Sequence, residues 1–260
     1  MASGLAERLL REALDVPFRG WDLSVLGDRL LVTPPPWSFD EIVDGEVTPA
    51  RSMLDMGTGG GEWLSERRHA ARTVATESWP PNVPLAAVAL RPRGIPVVHA
   101  EGALDNVDQA GREPGGRLPF RDAAFDLVVN RHESFQAAEV RRVLREGGVF
   151  VTQQAGSGAG DLHELLGLEP PANDDVHLDL AVEQLEAADM AVARSGVGLA
   201  TTEFADIGAL AWYLSNVPWG VPDFSITRYR EALLGLHGSP IRVASEAFWV
   251  RAVAAPRRRP

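Results

Sequence analysis

A chain of 260 residues with 45% apolar and 23% charged side chains is long enough to bury a sizeable core. Its formal net charge of −11 opposes nucleic-acid binding, which depends on neutralising phosphates, and the RRRP tail reads as a short solvated end. Without cysteine there are no disulfides, thiolate nucleophiles or cysteine-based metal sites; no apolar run reaches the length of a membrane span, and MASGLAERLLREALD lacks the basic start and apolar stretch of a secretory signal, so a cytoplasmic protein is expected.

In chain order, Leu5, Leu9, Leu10 and Leu14 stand near helical spacing and predict a helix over 4–14. Residues 17–37 read as irregular. Ser38 and Glu41 have capping-box spacing, so a short helix starts there. From residue 51 strand and helix alternate. Strands are predicted at 51–56, 72–77, 95–100, 125–130 and 148–154. Helices are predicted at 60–70, up to about Arg91, and at 136–145, where Gly147-Gly148 stops the last. Residues 102–117 read as a Gly-rich loop. A helix over 178–194, a sixth strand over 195–204, an aromatic-rich insertion at about 205–240 and a last strand over 244–253 follow. The alternation predicts an α/β fold: a Rossmann-like, doubly wound, mostly parallel seven-stranded sheet with helices on both faces.

The stretch MLDMGTGGGEWL (53–64) carries the most chemistry. A dinucleotide fingerprint needs G-x-G-x-x-G, but Gly57 and Gly59 are followed by Glu62, where a carboxylate would face a pyrophosphate. What stands there is D-x-G-x-G-x-G: Asp55, Gly57, Gly59 and Gly61. That order resembles the first motif of class I S-adenosylmethionine-dependent methyltransferases, and among them the broad ubiquinone/menaquinone type. AEG (100–102), LPFRDAAFDLVVNRHESF (118–135) and EVRRVLREGGVFVTQQ (139–154) resemble the family's later segments, so the likeness runs from about 50 to 155. It departs where residues 103–117 intervene before the LPF element.

The resemblance implies S-adenosyl-L-methionine as cofactor, held by Asp55, Gly57, Thr58, Gly59, Gly61, Glu77, Ser78, Trp79, Glu101, Gly102, Asn130 and Arg131. Glu77 closes a strand and has the lone pairs to accept from both ribose hydroxyls. Trp79 offers a face for adenine. Glu101 takes the place of an acid near the adenine amine. Residues 130–135 would lie beside the sulfonium, where His132 is the first candidate for a base and Glu133 would orient it or face the donor. The other histidines (69, 99, 163, 177 and 237) show no ligand spacing, and no metal is expected.

One methyltransferase domain spanning 1–260 is expected: an N-terminal helical cap (1–48), a donor-binding core (49–155), and 156–260 completing the sheet with an acceptor lid. Trp21, Trp37, Trp212, Trp219 and Phe224 would wall the acceptor. The expected partner is a small molecule methylated at O, N or C, with no nucleic acid and no membrane; monomer and homodimer both remain open. An RNA or protein methyltransferase and a non-catalytic donor-binding protein are the alternatives.

Overall fold

The computed structural model describes residues 2–100, 103, 116–156, 161–169, 177–217, 220, 221 and 223–256. In chain order the elements are α1 (Ala2–Asp15), β1 (Leu30–Thr33), α2 (Phe39–Val47), β2 (Ser52–Met56), α3 (Glu62–Ser65), β3 (Arg72–Glu77), α4 (Asn82–Leu90), β4 (Val97–His99), β5 (Phe125–Arg131) and α5 (Ala137–Val143). Then come β6 (Leu144–Ala155), α6 (Asp161–Leu165), α7 (Leu178–Ala187), β7 (Met190–Phe204), α8 (Ile207–Asn216), α9 (Arg230–Gly235) and β8 (Ile241–Ala254).

The chain forms two compact units. The larger comprises 37–155, 175–197 and 247–260. Its strands run in the order β8-β6-β5-β2-β3-β4, with β7 bordering β8. β4, β3, β2, β5 and β6 are mutually parallel, and β8 lies antiparallel to β6. Successive residues of the central strands enter two different apolar clusters. Leu54, Met56, Val128 and Phe150 pack with Val140, Val143, Ala181 and Leu185 of α5 and α7. Met53, Leu127, Val129 and Val151 pack with Val43, Leu64 and Leu90 of α2, α3 and α4. A period of two with both faces covered by helices is what a parallel sheet requires, and it matches the expected Rossmann-like α/β fold.

Asp126 sets the register of the central pair. Its Oδ2 accepts from the N–H groups of Arg51 and Ser52 (3.0 and 2.9 Å) and from the Ser52 hydroxyl (2.9 Å), while Oδ1 pairs with Arg145 at 2.6 Å.

The smaller unit comprises 1–36, 156–174 and 198–246 and has its own core. Ala6, Leu10 and Ala13 of α1 pack with Leu210, Trp212 and Leu214 of α8, joined by Val221, Tyr229 and Leu233. β1 pairs antiparallel with Thr201–Phe204. The expected acceptor lid at 205–240 thus contributes α8 and α9 to an apolar core.

Several boundaries differ from expectation. The described residues form eight strands rather than seven, and the extra one is β1: Leu31 and Val32 are both exposed, so no alternation betrays it. α3 is a single turn, closed by short-range bonds from Glu66 and Arg67 N–H to the Trp63 and Leu64 carbonyls. β6 begins before the glycines, at Leu144, with Gly147 at φ 72° and a register shift against β5. The predicted helix over 178–194 ends at Ala187, and Asp189 at φ 58° turns the chain into β7. Most of the predicted loop 102–117 lies outside the described residues. Among those described, no helix is long and apolar enough to cross a membrane.

Candidate cofactor and active site

Parallel registers bring Met56, Thr76, Asn130 and Thr152 to one level of the sheet, at the carboxyl ends of β2, β3, β5 and β6. Ligands of open α/β sheets bind at such ends. β2 leaves through a turn tied to β3: the Gly57 and Thr58 N–H groups donate to the Thr76 carbonyl at 3.1 and 2.8 Å. Gly57, Gly59 and Gly61 have φ of 74°, 63° and 86°, left-handed values that favour glycine. Space is closed there as well. A Cβ on Gly57 would lie 2.3 Å from Glu133 Cβ, and one on Gly61 would lie 3.0 Å from Leu90 Cγ.

Three carboxylates surround this turn. Asp55 is 3% exposed, and burial pushes its pKa up to about 6, against the pull of the Thr58 hydroxyl and the Arg131 charge. Glu77 accepts from Gly59 N–H (2.6 Å) and Trp79 N–H (2.8 Å); burial raises its pKa while those donors restrain it. Glu133 reaches back over Gly57. Burial pushes it up to about 7, with Ser78 as a restraining hydrogen-bond partner and the Glu77 charge adding to the rise. Such a site repels phosphates and suits a ligand with a cationic end, which would draw all three groups into their ionised forms.

The β5 exit is built on a buried polar network. Asn130 Oδ1 accepts from the Thr152 hydroxyl (3.0 Å) and Gln154 Nε2 (2.7 Å), while Asn130 Nδ2 and Gln154 Nε2 donate to the Glu133 carbonyl at 3.0 and 3.1 Å. His132 turns the chain at φ 64°, and its N–H donates to the Gln153 carbonyl (2.9 Å). The protein packed around its ring, with the Arg131 guanidinium, holds the His132 pKa below its ordinary value, so the ring is neutral at pH 7. Beside the turn, Asp40 accepts from Trp63 Nε1 (2.8 Å) and pairs with Arg67 (2.7 Å).

The structure therefore brings together Asp55, Gly57, Thr58, Gly59, Gly61, Glu77, Ser78, Asn130, Arg131, His132 and Glu133. Trp79 follows Glu77 and is 63% exposed. Glu101, Gly102 and Trp219 lie outside the described residues. Trp37 belongs with the site through a 2.9 Å bond from its indole N–H to Gln153 Oε1. Trp21 packs edge-on against Phe18, and Phe224 stacks on Tyr229, both within the smaller unit. Trp212 needs correction: at 1% exposure, with its indole N–H bonded to the Val16 carbonyl, it fills the smaller unit's core and walls no open space. Sequence reasoning also missed Thr152, Gln153, Gln154 and Asp40. Three polar residues closing the apolar strand GVFVTQQ were the available signal.

Residues 54–152 match the methyltransferase domain model. No curated protein matches the chain. Among solved structures it is similar to a candidate methyltransferase from Bacillus halodurans, at 14% identity over 84% of this chain and 99% of that one, with a TM-score of 0.56. It is similar to the YcgJ protein of Bacillus subtilis at 15% identity, 84% and 99% coverage and a TM-score of 0.54. A structure concerned with converting a disulfide bond into a thioacetal group during echinomycin biosynthesis aligns at 15% identity, 98% and 93% coverage and a TM-score of 0.52. At such identities these structures show a shared fold. Over residues 54–152 the chain is thus similar to a methyltransferase domain, set in a fold shared with these solved structures.

Proposed function

We propose that the acceptor is a small molecule, methylated at oxygen, nitrogen or carbon, and that the ends of β2, β3 and β5 hold the donor. The observation that carries the donor site is the trio of carboxylates, Asp55, Glu77 and Glu133, around one glycine turn. S-adenosylmethionine, when bound, supplies a methyl group on a cationic sulfur. Transfer from it depends on positioning and desolvation more than on activation.

Each residue's part follows from its chemistry. Glu77 spends one lone pair per oxygen on backbone N–H groups and keeps others for ribose hydroxyls. Trp79 offers an exposed ring face to adenine, with Glu101 and Gly102 assigned to the same end from the sequence. Asp55 and Glu133 supply negative charge to the donor's cationic end. The glycines and Thr58 allow close backbone approach. Asn130 fixes the turn that carries Arg131, His132 and Glu133. Trp37, in the same unit as the donor site, remains a proposed acceptor wall.

The net charge of −11 supports a small acceptor over RNA. So does the likeness to the structure concerned with echinomycin biosynthesis. The test is to incubate the purified protein with the donor and a panel of amines, phenols and carboxylic acids, with tRNA and protein extract in parallel, and to read methylated products by mass spectrometry. A methylated small molecule is expected. Transfer only to RNA or protein would overturn the reading.

A further inference from the structure

The site contains a directional chain of hydrogen bonds that the donor-site reading does not use. An indole N–H donates and never accepts. Trp37 Nε1 bonds to one end of the Gln153 side chain at 2.9 Å, so that end is the oxygen. The other end, the amide nitrogen, faces His132 Nε2 at 3.4 Å and only donates. The neutral imidazole must therefore present a bare Nε2 to Gln153 and carry its proton on Nδ1. The backbone reinforces the pairing, since Arg131 and Gln153 are register partners and His132 N–H bonds to the Gln153 carbonyl. Gln153 is 8% exposed and has little room to turn over. Among the described residues, Nδ1 has no partner, and His132 as a residue keeps part of its surface open to solvent beside the packed ring.

We infer that Gln153, oriented by Trp37, is a positioning residue that holds His132 in its Nδ1–H form, so that His132 meets the acceptor as a hydrogen-bond donor and not as a base. For its functional sense this rests on the donor-site reading above. It narrows the acceptor class to molecules whose nucleophilic atom already has a free lone pair at neutral pH and which carry an oxygen to accept from Nδ1–H. A carboxylate or an aromatic amine beside a carbonyl or hydroxyl has that chemistry. Glu133 does not replace His132 as a base, because a cationic donor at its side favours the ionised, weakly basic carboxylate.

The test is nitrogen NMR on the full chain with labelled histidine, with a His132→Gln spectrum to identify the His132 signals among the six histidines. At pH 7.5 the wild type is expected to show a protonated Nδ1 and a bare Nε2. Gln153→Glu replaces the donor by an acceptor, keeps the Trp37 bond and is expected to move the proton to Nε2. Trp37→Phe frees the amide and is expected to give a mixture of both forms, which keeps the test open if Gln153→Glu does not fold. A wild-type ring protonated on Nε2, or a ring unchanged in both variants, would overturn the inference. Calorimetry with S-adenosylmethionine on the same samples separates the two readings. A ring in the Nδ1–H form without donor binding would sink the donor site and leave the hydrogen-bond chain standing.

Discussion

Asp55 and Glu133 hold carboxyl groups whose pKa values lie near 6 and 7 because ionising them in their surroundings is unfavourable. Both native values are raised, so the stability these groups contribute is complete below the ordinary carboxylate range, near pH 4, and is lost as pH climbs through 6 and 7. Asp55→Asn should therefore leave the ligand-free protein more stable at pH 8, by up to about 3 kcal/mol for a shift of roughly two units, and by nothing at pH 4. Thermal melts at the two pH values would show it, and the stabilisation added by S-adenosylmethionine should vanish in the same variant. A lower melting point at pH 8 would refute the assignment. Gly57→Ala meets a left-handed φ and the Glu133 side chain together; a loss of about 1–3 kcal/mol and of donor binding is expected. The glycine pattern was legible because left-handed backbone leaves few other residue choices. Gln153 was not legible, because its role depends on Trp37, 116 positions away.

At the scale of elements, α8 shows how much rests on one residue. Asp206 caps it, with Oδ1 accepting from Gly208 and Ala209 N–H at 2.8 and 3.0 Å, while Arg29 donates to both carboxylate oxygens at 2.8 and 2.6 Å. Asp206→Ala removes the cap and leaves a half-buried guanidinium unpaired. Urea titration should show a loss of roughly 2–4 kcal/mol, with Asp206→Asn falling between the variant and the wild type. A change under 0.5 kcal/mol would contradict the account. Elements with strong periodicity or clear caps, such as α1 and the Ser38-capped α2, could be read from the sequence. β1 could not, since four residues with an exposed apolar pair carry no period. The end of α7 could not either, because a left-handed Asp189 leaves no mark in composition. Aromatic composition misled at Trp212: it marks large side chains without saying whether they face a cleft or a core. Trp212→Ala should lower stability by about 3–5 kcal/mol, as removal of a fully buried indole does.

Across the molecule, an acidic chain concentrates three carboxylates at the carboxyl edge of a parallel sheet whose two faces are covered by helices. That arrangement makes donor affinity pH-dependent. Ionised Asp55 and Glu133 hold a cation better than their protonated forms, so affinity should rise about tenfold or more from pH 5 to pH 8, with protons released on binding between pH 6 and 7. Titrations in buffers of different ionisation enthalpy would count them. The most direct test of the central claim is calorimetric titration of the purified chain at pH 8 with S-adenosylmethionine and, separately, with NAD. The account predicts one saturable site for S-adenosylmethionine, lost in Asp55→Asn, and no heat of binding with NAD. Binding of NAD, or a folded protein that binds neither ligand, would contradict it.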